Sequence, residues 1–223
     1  MGQTLLIQPA YPHLAEDFVR DPTPTLPVSL LYAGDFLERR GNQVKYFDCQ
    51  LRDLNADDVS DYDTFGITVM GAQNIVSAYF VYKSLTTVHG INPERILLGG
   101  QGVEYLSADE FSSIFPGSVL IPRNESTRGQ WDVNLARQIE KIDTKDLRLY
   151  LSNELTLPFS QNCVYACTFC AAANGRNERF YDTKGNLEVM LRKAEGLGIE
   201  ELKFYVTSLD FFQQALGHKG QEV

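Results

Sequence analysis

Basic residues are scarce in this 223-residue chain: 20 Lys and Arg stand against 29 Asp and Glu, a formal net charge of −9. With a pI of about 4.8, the protein lacks the basic face that non-specific nucleic-acid binding requires, although one local basic groove remains compatible with that total. Long apolar runs are also missing. None approaches the roughly 18 residues of a membrane span, so no membrane partner is expected. Met1-Gly2-Gln3-Thr4 leads straight into an apolar strand pattern, so no signal peptide is expected. Leu6 argues against a myristoylation signal. Internal repeats and low-complexity segments are absent. Histidine is limited to His13, His89 and His218. Cysteine is limited to 4 residues, and their clustering suits metal ligation in a reducing, cytoplasmic compartment rather than a disulfide framework.

What is present is concentrated in one stretch, Cys163-Val164-Tyr165-Ala166-Cys167-Thr168-Phe169-Cys170. Three of the four cysteines fall there at C-x-x-x-C-x-x-C spacing, while Cys49 lies far away in a strand-like segment. Three thiolates on one tight loop can converge on one soft metal centre. A structural zinc site wants a fourth Cys or His, and no histidine is near. A ferredoxin-type cluster wants four cysteines, usually with two residues between each of the first three. Three ligands leave one iron open to a substrate. The alternatives are a small zinc knuckle or a reduced cysteine cluster without metal.

The spacing resembles the signature of the radical S-adenosylmethionine (SAM) superfamily, and Phe169, an aromatic residue just before the third cysteine, fits it as well. The resemblance implies that Cys163, Cys167 and Cys170 hold a 4Fe-4S cluster whose open iron chelates the amino and carboxylate groups of SAM. One electron from the cluster would then split the sulfonium, giving methionine and a 5'-deoxyadenosyl radical. The cofactor carries the hard chemistry, and the protein supplies position and exclusion of water. A flavodoxin or ferredoxin is the implied electron donor.

Taken in order, the chain alternates apolar strands with helices. Thr4–Gln8 reads as a buried strand, followed by a proline-rich loop through Pro27, a helix over Val28–Arg40 and a strand over Gln43–Asp48. Asp53–Asp63 is an acidic connector with one helical turn. Strands follow at Thr64–Met70, Arg95–Leu98 and Ser118–Ile121, and helices at Ala72–Val88 and Val103–Phe115, with further helix between Trp131 and Ile139. This pattern predicts an α/β fold, a flavodoxin-like doubly wound parallel sheet over residues 1–140, with ligands bound at the carboxyl ends of its strands. Lys141–Asn153 is weakly periodic and reads as a linker. Residues 154–223 then begin a (β/α) barrel: a strand at Leu155–Phe159, a helix at Asn186–Leu197 with Leu187, Met190, Leu191 and Ala194 inward and Gly198 ending it, and a strand at Glu201–Thr207.

Thr68-Val69-Met70 followed, after an interval, by Gly99-Gly100 is similar to the Ser-x-Leu and Gly-Gly pattern of cobalamin-binding domains. With Pro9, Asp48, the loop Gly99-Gly100-Gln101-Gly102 and Asn124-Glu125, nearly the whole chain resembles cobalamin-binding radical SAM enzymes. The resemblance implies cobalamin held at these loops, with glycines letting the backbone approach its nucleotide tail. The Asp-x-His-x-x-Gly segment of other cobalamin domains is missing, so no protein imidazole is expected beneath cobalt. A structural remnant of such a domain is the alternative. Thr207 and Ser208, with Asp210 nearby, stand where the family positions groups near the methionine end of SAM. The family's Gly-Gly-Glu is absent there. Arg176, Arg179 and Lys184 read as solvated charges.

Two function classes follow. The first is a radical SAM enzyme, cobalamin-dependent, transferring methyl to or rearranging an unactivated carbon of a substrate the sequence does not name. The second is a non-catalytic iron–sulfur or electron-transfer module. The superfamily barrel is implied to need more strands than follow Cys170, so residues 1–223 are expected either to be a fragment of a longer chain or to self-associate or be completed by another chain, and not to turn over alone.

Overall fold

The apolar runs Thr4–Gln8 and Phe65–Thr68 become strands buried on both faces, as parallel strands are, whereas the run Val119–Ile121 at the sheet's edge is partly exposed. The computed structural model describes residues 2–10, 24–121, 135–158, 160–161, 179–180 and 183–207. The chain divides into two compact units, Met1–Leu147 and Arg148–Val223.

In the first unit, β1 (Gln3–Gln8), β2 (Gln43–Asp48), β3 (Thr64–Thr68), β4 (Ile96–Gly99) and β5 (Val119–Ile121) form one sheet in the order β2-β1-β3-β4-β5. Every neighbouring pair is parallel. This is the flavodoxin-like order, with its topological switch between β1 and β3. Side chains alternate across β1: Leu5 and Ile7 enter one core with Phe65, Ile67 and Leu98, whereas Leu6 enters a second core with Leu30 and Val44. The larger core is covered by α3 (Ile75–Lys83), through Ala78, Val81 and Tyr82, and by α4 (Ala108–Ile114), through Phe111. The smaller core is covered by α1 (Val28–Glu38).

The acidic connector carries its one helical turn, α2 (Ala56–Val59), started by a reciprocal cap between Asn55 and Asp58. The segment expected as one helix from Val103 to Phe115 is broken. A 3-10 turn covers Gln101–Tyr105, and Ser107 and Glu110 form a capping box that restarts the chain as α4. The helix expected over Ala72–Val88 begins as a 3-10 turn, Ala72–Asn74, and ends as a π turn, Ser84–Val88.

Beyond β5, α5 (Leu135–Ile139) packs against α1 through polar groups. Gln138 is fully buried and accepts the Tyr46 hydroxyl at 2.6 Å, while its amide nitrogen donates to Glu38 at 2.9 Å and Asp35 at 3.3 Å. Burial, then the nearby Asp35 carboxylate, pushes the Tyr46 phenol well above its ordinary value. Tyr46 lies across Gly34, where any Cβ would collide with its hydroxyl.

The stretch expected as a linker contains a helix, α6 (Thr144–Leu151). Leu147, Tyr150 and Leu151 are all buried, at the i, i+3, i+4 spacing of one helical face. Lys145, Asp146 and Arg148 between them disguise that stripe.

The second unit contains β6 (Glu154–Pro158) and β9 (Lys203–Thr207) as a parallel pair joined through α7 (Thr183–Gly196). It also contains a short antiparallel ladder, β7 (Ser160–Gln161) with β8 (Arg179–Phe180). Asn186, Met190 and Ala194 form the buried stripe of α7, whereas Leu191, expected inward, is 48 % exposed because it lies about one residue round from that stripe. Gly198, at φ 68°, ends the helix as expected.

Candidate functional site

The carboxyl ends of β3 and β4 meet at Thr68 and Gly99, which are register partners. Beyond them the two loops are laced together. The Val69 N–H donates to the Gly99 carbonyl at 2.7 Å, and the Gly102 N–H donates to the Val69 carbonyl at 2.7 Å. Gly100 sits at φ 109° and ψ 168°, a region essentially restricted to glycine. A Cβ there would lie 2.5 Å from the Val69 oxygen, and one at Gly102 would lie 2.5 Å from the Gly71 oxygen. The space these two glycines leave is therefore filled by the backbone of the β3 loop. Gly99 is different: a Cβ there would meet Ile121 at an ordinary 3.6 Å.

Thr68 and Val69 are buried in this clasp, Gln101 is half-buried, and Met70 is exposed at its rim. The turn after Met70 bears groups that sequence reasoning missed. Asn74 is 2 % exposed and Ser77 is 4 % exposed. Neither amide atom of Asn74 nor the hydroxyl of Ser77 has a hydrogen-bond partner in the protein. More than nine in ten buried polar groups in native structures are paired, so such a pair needs a reason. The signal was legible: within the stretch expected as one helix, Asn74, Ser77 and Ala78 share one buried stripe at i, i+3, i+4 spacing, where an apolar residue is the norm.

At the carboxyl end of β2, the Cys49 N–H donates to the Gln8 carbonyl at 2.9 Å, and Asp48 accepts the Gln50 N–H at 2.8 Å. Gln50 is buried, and its side-chain oxygen is also unpaired. Burial first, then Asp48 and Asp53, pushes the Cys49 thiol up to about 12. A thiol that stays protonated at neutral pH makes a poor metal ligand.

In the second unit, Pro158 and Thr207 are register partners at the carboxyl ends of β6 and β9. The ladder that pairs Ser160 with Phe180 and Gln161 with Arg179 holds together the two ends of segment 162–178, which contains all three clustered cysteines. That ladder was not anticipated from the sequence. Cys163, Cys167, Phe169 and Cys170, together with Asn124, Glu125, Arg176, Ser208 and Asp210, lie outside the described residues. So does His13. Among the described residues, no group of three or more His, Cys, Asp or Glu is placed to hold a metal ion, and no helix is long and apolar enough to cross a membrane.

Fold and loops together define an α/β protein with a flavodoxin-like parallel sheet, followed by a β-α-β unit whose first strand leads into a cysteine-bearing segment. Among solved structures, the chain is similar to the radical S-adenosylmethionine methyltransferase TsrM from Kitasatospora setae, determined with cobalamin and a 4Fe-4S cluster bound. The identity is 14 % and the TM-score 0.57, over 93 % of this chain and 49 % of that one. The likeness is one of fold, and the chain spans about half the length of that protein. No protein-family pattern and no curated protein sequence matches it.

Proposed function

We propose that the chain belongs to a radical SAM enzyme that uses cobalamin, with methyl transfer to an unactivated carbon as its reaction class. The observation that carries this reading is the C-x-x-x-C-x-x-C segment leaving the carboxyl end of a β-α-β strand, behind a sheet whose fold is shared with a cobalamin-bound radical SAM methyltransferase.

In this reading Cys163, Cys167 and Cys170 hold the 4Fe-4S cluster, and Phe169 packs beside it. Thr207, the last residue of β9, and Ser208, next in the chain, bind the amino-acid end of SAM. The loops Thr68–Met70 and Gly99–Gly102, with Asn124 and Glu125, border the corrinoid. The buried, unpaired Asn74, Ser77 and Gln50 fit a ligand that brings hydrogen-bonding groups to the sheet edge, which is how the residues present accommodate such a cofactor. When bound, the cluster supplies the electron that cleaves SAM, and the corrinoid carries the methyl group. An external flavodoxin or ferredoxin reduces the cluster.

The test is anaerobic reconstitution with iron, sulfide, reductant and SAM. About 4 iron atoms per chain are expected, falling to background in Cys163→Ala, Cys167→Ala and Cys170→Ala but unchanged in Cys49→Ala. In the enzyme to which the chain belongs, 5'-deoxyadenosine is expected to form from SAM. Full cluster loading without any SAM cleavage would favour an electron-transfer module instead. Iron loss in Cys49→Ala would overturn the ligand assignment.

A further inference from the structure

The unpartnered pair Asn74 and Ser77 carries an inference of its own. An amide or hydroxyl buried without a hydrogen bond loses its water and gains nothing in return, and here a 3-10 turn and the helix that follows it bear three such atoms. Asn74 ends the turn Ala72–Asn74, which packs against the turn Gln101–Tyr105 at the end of the glycine loop, and Ser77 lies in the first turn of α3, which follows directly. The site therefore adjoins the carboxyl ends of β3 and β4, the edge at which doubly wound sheets bind ligands.

The chemistry of the missing partner can be read from its surroundings. From Thr64 to Tyr82, and again from Ile96 to Val103, the chain contains no charged residue. A phosphate buried between these two segments would find no cation in either to offset its desolvation, so an anionic group is disfavoured. Asn offers two donors and an acceptor from one planar amide, and Ser offers a donor and two lone pairs. Such a set matches a neutral group that also places a donor beside an acceptor.

We propose that Asn74 and Ser77 form a subsite for a neutral ligand group of this kind, a carboxamide or the edge of an amino-heterocycle. Where the ligand is a corrinoid, with its carboxamide side arms, the inference rests on the function proposed above. An adenine-type edge, which Asn can read bidentately, is the other source of the same chemistry.

The subsite makes an unusual demand on mutants. Replacing polar groups that have no protein partner by apolar ones should leave the free protein as stable or make it more so, while weakening the ligand. The test uses Asn74→Leu and Ser77→Ala in the 223-residue chain, with thermal melts of the free protein and titrations of hydroxocobalamin and, separately, adenosine. The expected result is an unchanged or raised melting temperature with at least tenfold weaker binding of hydroxocobalamin in both variants. If the parent chain binds no hydroxocobalamin, but adenosine raises its melting temperature and the variants lose that response, the subsite stands and the cobalamin assignment falls. If neither probe is weakened by either substitution, the proposal is overturned. It is equally overturned if both free variants melt several degrees lower, because the two side chains would then be satisfied by internal water and serve the core.

Discussion

A methyl group added at Gly100 would meet the Val69 carbonyl oxygen at 2.5 Å, in a backbone conformation that side chains rarely adopt. Added at Gly99, one residue earlier, it would meet Ile121 at 3.6 Å, an ordinary contact. Gly100→Ala and Gly102→Ala are therefore expected to cost at least about 2 kcal/mol each, and Gly99→Ala under about 1 kcal/mol, measured as shifts in urea midpoint. The Gly-Gly pattern was visible in the sequence; which glycine is indispensable was not, because that depends on the β3 loop packed against it. Titration gives a second residue-level expectation. Cys49 and Tyr46 both have folded-state values raised above their unfolded ones, so each contributes stability that is fully present below its unfolded value and is lost as pH rises. For Cys49 the loss begins near pH 8.5 and continues through about 12; for Tyr46 it begins near pH 10. Stability measured against pH should fall across this alkaline range. Cys49→Val should flatten the earlier part of the fall and Tyr46→Phe the later part.

Among the elements, the strands were the most legible. β1 and β4 are short apolar runs bounded by turn formers, β2 alternates through Val44, Lys45 and Tyr46, and the register of a buried parallel strand leaves little freedom in where it starts and stops. Helices were less so, for reasons particular to each. The capping box at Ser107 and Glu110 is a sequence-level start signal, yet it sits inside an apolar run that reads as one longer helix. The buried stripe of α6, Leu147, Tyr150 and Leu151, is obscured by intervening charges. The docking of α5 was illegible because its contact with α1 and β2 is polar: Gln138, Tyr46, Asp35 and Glu38 look like surface residues until topology brings them together. Such a connection is brittle. Tyr46→Phe removes the donor to a fully buried Gln138 oxygen, and an orphaned buried acceptor costs about 1–3 kcal/mol. A fall of that size in unfolding free energy at pH 7 is expected. An unchanged urea midpoint would mean that the hydroxyl contributes nothing to holding α5. At the candidate site the same reasoning applies in reverse: the loops were legible, but Asn74 and Ser77 drew notice only when they proved to be without partners.

At the scale of the whole chain, the two units differ in how their strands are supported. β1 and β3 in the first unit each have a neighbour on both sides, and cores lie on both faces of the sheet. In the second unit β6 and β9 form a two-stranded sheet, so each has one paired side among the described residues. Two-stranded sheets are marginally stable unless another element covers them, and α7 offers only Met190 and Ala194 as fully buried apolar side chains among its described positions. Local opening free energies follow such differences in burial and pairing. Native-state hydrogen exchange should therefore give the slowest amides in β1 and β3, at Leu6, Ile7, Gly66 and Ile67, which exchange only with global unfolding. Amides of β6 and β9 should exchange through smaller openings, at least about tenfold faster, which corresponds to about 1.4 kcal/mol. If iron and sulfide are reconstituted into segment 162–178, whose ends the β7–β8 ladder already pairs, the β6 and β9 amides should slow while those of β1 and β3 stay unchanged, since binding stabilises the native form of the unit that holds the ligand. Equal slowing in both units would mean that they unfold as one, and equal rates before reconstitution would mean that the second sheet is as well supported as the first.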